Sequence, residues 1–120
     1  MDARELQAVA DRTARGLPDA TAEHRPDWEV YKVGGKVFML MTDMPGQPVV
    51  ILKADPGEAV RLREQYPEIS AGYHMDKRHW ITAAAGPALD EVRLGGLVAD
   101  SYRLVVAKLP RAERDALRGV

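Results

Sequence analysis

The densest concentration of versatile side chains is Tyr73-His74-Met75-Asp76-Lys77-Arg78-His79-Trp80. It holds two of the three histidines, one of the two tryptophans and two adjacent cations. A turn at Asp76-Lys77 would set His74 and His79 opposite one another on one face of a hairpin. Three chemistries could use that pairing. A metal needs at least a third ligand, and none stands at a diagnostic spacing. Proton transfer by a histidine needs an orienting partner, and the sequence identifies none. Phosphate binding is easier to support: Lys77 and Arg78 would supply charge, and Tyr73, His79 or Trp80 would supply rings for stacking on bases. The plainer alternative is a charged hairpin tip beside a tryptophan that belongs to the core.

Other positions carry weaker signals. Gly34-Gly35-Lys36 is followed by strand residues rather than a helix, so it reads as a turn and not a phosphate loop, with Lys36 adding a positive charge beside it. Lys53 ends the apolar run Val49-Val50-Ile51-Leu52 and would either reach a ligand anion or snorkel along apolar surface to water. Met39 and Met41 share a strand face and, with Met44 and Met75, would fill core or form an adaptable binding surface. Ser70 and Ser101 are the only serines. Neither lies in a nucleophile elbow, and Ser101 falls on a helix face expected to pack. Asp55 and Glu58 are accounted for by helix capping, Asp90 and Glu91 by a loop or helix entrance, and no carboxylate pair has an arguable raised pKa. The expectation is a protein without catalytic activity, metal or cofactor.

These groups sit in a chain of 120 residues with 17 basic and 18 acidic side chains, a formal charge of -1 and no cysteine. That length fits one domain spanning 1–120 with its own core. The missing cysteines exclude disulfide scaffolds, zinc fingers and thiol catalysis. A signal-peptide pattern and a membrane-length apolar run are both absent, so a cytoplasmic protein is expected. Near-zero charge argues against binding nucleic acid by overall charge. Residues 1–60 carry 7 basic and 10 acidic groups and residues 61–120 carry 10 and 8, which places any basic patch toward the second half.

The elements that must position these groups follow from periodicity. Leu6, Val9, Ala10, Thr13 and Leu17 recur at helical spacing, with Asp2 as cap and Gly16 as stop. Residues 16–27 and 43–48 read as loops. Trp28–Val33, Val37–Thr42 and Val49–Ala54 read as strands, the first two joined by the Gly34-Gly35 hairpin and the third reached through a Pro45-Gly46 turn. Asp55-Pro56-Gly57-Glu58 opens a second helix limited by Pro67. Gly72–Met75 and His79–Ala85 read as two further strands. Leu94, Leu97, Val98, Ser101, Val105 and Leu109 share a long helical face ending at Pro110, its start blurred by Gly95-Gly96. A short helix over Arg111–Arg118 closes the chain with Gly119 as its stop. The order α-β-β-β-α-β-β-α with an extra terminal helix implies an α+β two-layer sandwich, helices packed on an antiparallel sheet. Strands apolar on both sides imply a central position, extra cover, or an interface with a second copy or another protein.

These segments together resemble the MmcQ/YjbR family of small bacterial proteins. The matching pieces are Trp28–Val33, Gly35-Lys36-Val37-Phe38, Val50-Ile51-Leu52-Lys53, Asp55-Pro56 with Arg61-Leu62-Arg63, Gly72–Trp80, and Ser101–Pro110. The resemblance implies a two-layer domain similar in outline to secretion-chaperone-like and frataxin-like folds. It also implies DNA binding through a double-wing motif whose wings are hairpins, carried here by Lys36 and His74–Trp80. Asp76 stands where many relatives place Asn, adding negative charge to the wing, and Leu89–Gly96 lacks the acidic helical run of relatives. The resulting expectation is a DNA-binding surface built from Lys36, Lys53, His74, Lys77, Arg78, His79 and Trp80. The alternative is a protein-interaction or small-ligand module working through the apolar strands.

Overall fold

The computed structural model describes residues 1–44 and 46–117. Helix α1 (Ala3–Arg15) is followed by strands β1 (Thr21–Arg25), β2 (Trp28–Val33), β3 (Lys36–Met44) and β4 (Gln47–Lys53). Then come α2 (Pro56–Gln65), β5 (Ile69–Ala71), β6 (Trp80–Ala83), α3 (Glu91–Val106) and α4 (Arg111–Leu117). The six strands form one antiparallel sheet in the order β1-β2-β3-β4-β6-β5. This is the α+β sandwich that the periodicity implies, with one strand more. The Pro45 half of the second turn and the Gly119 stop lie outside the described residues.

Local chemistry explains most boundaries. Asp2, Asp55 and Asp90 each cap a helix, accepting from the backbone N–H of Glu5 at 2.8 Å, of Gly57 at 3.1 Å and of Arg93 at 2.7 Å. Gly34 and Gly35 take φ of 57° and 76°, as a tight hairpin with the twist of its strands demands. At Gly34 an added Cβ would also come within 2.8 Å of the Leu109 methyls, which press on the turn.

Several segments differ from the sequence reading. Residues 16–27 contain β1, because its polar residues pair along their length with β2, from Thr21 opposite Lys32 to Arg25 opposite Trp28. It is an edge strand, and Glu23, His24 and Arg25 on it discourage pairing with other chains. The 43–48 segment is no open loop: the ladder runs through Asp43–Pro48 and Met44–Gln47. Helix α3 begins at Glu91, not near its glycines. Its buried face of Leu94, Leu97, Val98, Ser101, Tyr102 and Val105 outweighs the ~1 kcal/mol that each glycine costs. It ends at Val106, short of Leu109.

The chain also departs from expectation at 72–79. The strands are Ile69–Ala71 and Trp80–Ala83, and the segment between them is a folded loop rather than strand ends and a two-residue turn. Met75 N–H bonds to Gly72 O at 3.3 Å and His79 N–H to Asp76 O at 3.2 Å. His74 adopts φ of 60°, in the left-handed region. His74 and His79 therefore do not face one another.

The sheet has two apolar faces. The inner one, under α1 and α3, holds Leu6, Tyr31, Phe38, Met39, Val50, Leu52, Leu94 and Val98, all fully buried or nearly so. Phe38 is the extra residue of a bulge: Tyr31 is opposite Met39 but Lys32 is opposite Val37. The bulge turns both Phe38 and Met39 inward. On the outer face Val49, Ile51 and Trp80 pack with Trp28, Val37, Leu40 and Met44, and Tyr73 and Met75 of the 72–79 loop lie over them. The doubled hydrophobicity of β3 and β4 is thus covered in part within the chain. The methionines divide accordingly, Met39 and Met41 inward and Met44 and Met75 outward. Among the described residues no helix is long and apolar enough to cross a membrane.

Two buried polar groups hold irregular backbone. Ser101 Oγ donates to Phe38 O at 2.5 Å and accepts from Lys53 N–H at 2.9 Å. Pairing between β3 and β4 starts at Met39–Leu52, so the hydroxyl fills the fork where the two strands part. Ser101→Ala would orphan a buried donor and acceptor, each costing about 1–3 kcal/mol. A loss of about 2 kcal/mol or more in urea unfolding is expected, and an unchanged midpoint would refute this role. Glu68, 8% exposed, accepts from the N–H groups of Ala88 at 2.6 Å and Leu89 at 2.8 Å. Burial works against its charge, but these N–H bonds outweigh it and hold the carboxyl below its ordinary range. A depressed carboxylate stabilises the fold above its unfolded pKa of about 4.3 and loses that contribution as pH falls through the folded value. Urea midpoints should therefore fall more steeply below about pH 4.5 in the parent than in Glu68→Gln. Parallel curves would remove Glu68 from the acid response.

Candidate functional site

The registers fix which end of the sheet each candidate occupies. Lys36 opens β3, Lys53 closes β4 and Trp80 opens β6, with Lys53 directly opposite Trp80. In antiparallel strands these positions share one end. His79 belongs there too, since its carbonyl accepts from Ala54 N–H at 2.8 Å. Lys77 and Arg78 precede it and are exposed. Lys36, Lys53 and Trp80 line one cleft of about 350 Å³ with Val37, Val105, Lys108 and Leu109. The hairpin and the strand-end lysine are thus brought together. Lys108 completes the group, although the sequence places it only at a helix end. Its only signal was a cation just past the α3 face that packs on β3.

Two expectations change at this end. Trp80 is only 9% exposed and packs in the outer apolar cluster, so its ring is no free platform for bases. Lys53 Nζ stands 6.0 Å from its ring centroid, within reach of a cation–π attraction. Asp76 is also occupied: it accepts from Arg78 N–H at 2.9 Å and lies 2.9 Å from His79 Nδ1. The Arg78 N–H first, then His79, hold its carboxyl below the usual range. The acid that distinguishes this loop is spent on shaping the turn. His79 is bound to Asp76 and is not a free stacking ring.

His74 lies elsewhere. Its ring is 4.0 Å from that of Tyr73 and 6.4 Å from that of Trp28 on β2, centroid to centroid. The 72–79 loop therefore reaches across the outer face, past β4 and β3. His74 lines a separate cleft of about 530 Å³ with His24, Trp28, Tyr73 and acidic residues including Asp27 and Asp43. Lys36, Lys53 and Lys108 line other clefts. Among the described residues no group of three or more His, Asp or Glu side chains is placed to hold a metal.

The electrostatics of the lysine end are one-sided. Arg12, Arg15, Arg25, Lys32, Arg61, Arg93, Arg103 and Arg111 all pair with carboxylates. Among the described residues Lys36, Lys53, Lys77, Arg78 and Lys108 form no ion pair. Burial, and after it the charge of Lys108, pushes the Lys53 ammonium below the ordinary lysine range. Two cations held this way favour an anion between them. In Lys108→Ala the Lys53 titration, followed by the 13Cε shift, should move up toward the ordinary range. An unmoved titration would show that the two amines do not sense one another.

Comparison with known proteins bears on the whole chain. The YjbR family model matches residues 15–104. The uncharacterized protein YbdF of Escherichia coli O157:H7 is 38% identical over 120 residues, covering 98% of both chains. The uncharacterized protein YjbR of Escherichia coli K12 is 30% identical over 102 residues, 83% of this chain and 86% of that one. Among solved structures, Deinococcus radiodurans protein DR2400, of family-model domain DUF419, superposes with a TM-score of 0.79 at 30% identity, covering 98% of this chain and 88% of that one. A Pseudomonas syringae protein superposes at 0.70 with 28% identity, covering 82% and 96%. The fold and the sequence agree, and the chain belongs to the YjbR family.

Proposed function

We propose that this protein is a cytoplasmic DNA-binding protein without catalytic activity, and that it grips phosphates with the lysine-bearing end of its sheet. The observation that carries the reading is the gathering of Lys36, Lys53, Lys77, Arg78 and Lys108 at that end, unpaired among the described residues, while cations elsewhere are mostly neutralised. With a formal charge of -1, attraction has to be local. The contacts are to backbone phosphates rather than stacked bases, because Trp80 is buried and His79 is held by Asp76. Affinity should therefore depend little on sequence and strongly on salt.

A second reading, a small-ligand module, has one observation in its favour. A cleft of about 510 Å³ between α2 and α3 is lined by Leu62, Ile81, Leu97 and Leu104. Its charged residues are largely engaged already, Asp55 in capping and Asp100 with Arg103. Lys53 lines this cleft as well, but here beside the carboxylates of Asp55, Glu58 and Asp100 rather than beside other unpaired cations.

Fluorescence anisotropy against labelled duplex across a salt series tests the main reading. Five cations predict a slope of log affinity against log salt of about -4.5, and each double variant, Lys77→Ala/Arg78→Ala or Lys53→Met/Lys108→Ala, should flatten it by about 2. Absence of binding at low salt, or slopes unchanged in both double variants, would sink the proposal.

A further inference from the structure

We infer that the lysine-rimmed cleft within this end takes a single nucleoside phosphate unit, free or at the end of a DNA strand, while Lys77 and Arg78, outside the cleft, are left to the duplex backbone. The inference rests on the phosphate-binding reading and names the ligand of that site. Phosphodiesters passing over a surface need only charges on that surface. This cleft has something more: Lys36, Lys53 and Lys108 surround a floor of Val37, Trp80, Val105 and Leu109. An apolar floor below a cationic rim fits a ligand with an apolar, planar body and an anionic head, and a nucleobase with its phosphate is such a body. The volume of about 350 Å³ lies at the small end of ligand pockets and excludes a duplex. No carboxylate lines it, so a cationic ligand finds no partner there.

The charge of the head can be narrowed as well. Lys53 is partly desolvated and repelled by Lys108. A phosphodiester brings one negative charge, whereas a terminal phosphate brings about 1.5 to 2 near neutral pH. The terminal group offsets the repulsion of two ammoniums more completely. With Lys53 Nζ 6.0 Å from the Trp80 centroid, a phosphate held by that amine sits near the indole, and the base lies over Val37, the apolar lining residue that is not buried.

Two comparisons on the full chain test this. Calorimetric titration with magnesium-free adenosine triphosphate is set against inorganic tripolyphosphate, which carries similar charge without an apolar body. The nucleotide should bind at least about tenfold more tightly, an amount that burying a modest apolar area supplies. Anisotropy then compares a duplex bearing 5′-phosphorylated single-nucleotide overhangs with a closed dumbbell of equal length. The overhang duplex should bind about tenfold more tightly. The exposed-site variant Lys108→Glu, checked for folding by circular dichroism, should erase that difference. Equal binding of nucleotide and tripolyphosphate, or of overhang and dumbbell DNA, would overturn the inference. If both DNAs bind equally and with steep salt dependence, the phosphate reading survives and the nucleotide cleft does not. If neither binds at low salt, both fall.

Discussion

The hydroxyl of Ser101 sits where β3 and β4 separate, and the functional end of the molecule depends on that separation. Phe38 bulges out of the β2–β3 ladder and leaves its carbonyl without a strand partner, while Lys53 N–H faces it from β4. One side chain from α3 satisfies both groups. Were the ladder to continue instead, Lys53 would lie flat against β3. The fork lets β4 lead away toward α2, and it brings the carboxyl end of α3 beside the opening. Val105, Lys108 and Leu109 then face Lys36, Val37 and Lys53 across the cleft. A buried hydroxyl with both its roles used fixes this geometry more narrowly than apolar packing could, since hydrogen bonds are directional and costly to leave unmade.

The 72–79 loop solves a different problem. Sheet strands buried on one side by helices ordinarily show polar residues on the other, yet Val49 and Ile51 on the outer side are fully buried. Tyr73 and Met75 cover them, and the chain turns tightly enough to do so only because Gly72 lies against Trp80. A Cβ there would stand 2.6 Å from the Trp80 Cβ. Folding the loop inward separates its residues by role. Tyr73 and Met75 become cover, His74 joins Trp28 at the far cleft, Asp76 and His79 shape the turn, and Lys77 and Arg78 face solvent without an ion-pair partner among the described residues. A run that looks like one site in sequence is therefore distributed over three places.

The fold class, the Asp2 and Asp55 helix caps, the Gly34-Gly35 hairpin and four of the six strands were legible because each rests on local chemistry or on short-range periodicity. Strand β5, read at Gly72–Met75, lies at Ile69–Ala71, and two further features were not legible. Strand β1 has no apolar alternation of its own and exists because β2 offers an edge to pair with. The continuity of α3 through Gly95-Gly96 depends on the apolar face it buries against β3 and β4, which outweighs propensity. Of the proposed site residues, Lys36, Lys53, Lys77 and Arg78 do share one end of the molecule. His74 does not, and Trp80 and His79 are there as packed or paired groups rather than as stacking surfaces.

By itself the sequence determined the kinds of charge available and the absence of thiol chemistry, because residue type alone sets these. It also determined where α1 and α2 start, since caps act over three or four residues. Only the tertiary structure decided which charges meet. Ion pairing is a matter of distances between segments far apart in the chain, and it is the pairing of most arginines elsewhere that leaves the lysine end unanswered. The overall balance of 17 positive and 18 negative groups is the same before and after folding. Folding alters its distribution, and a local field rather than a net charge is what a phosphate would encounter.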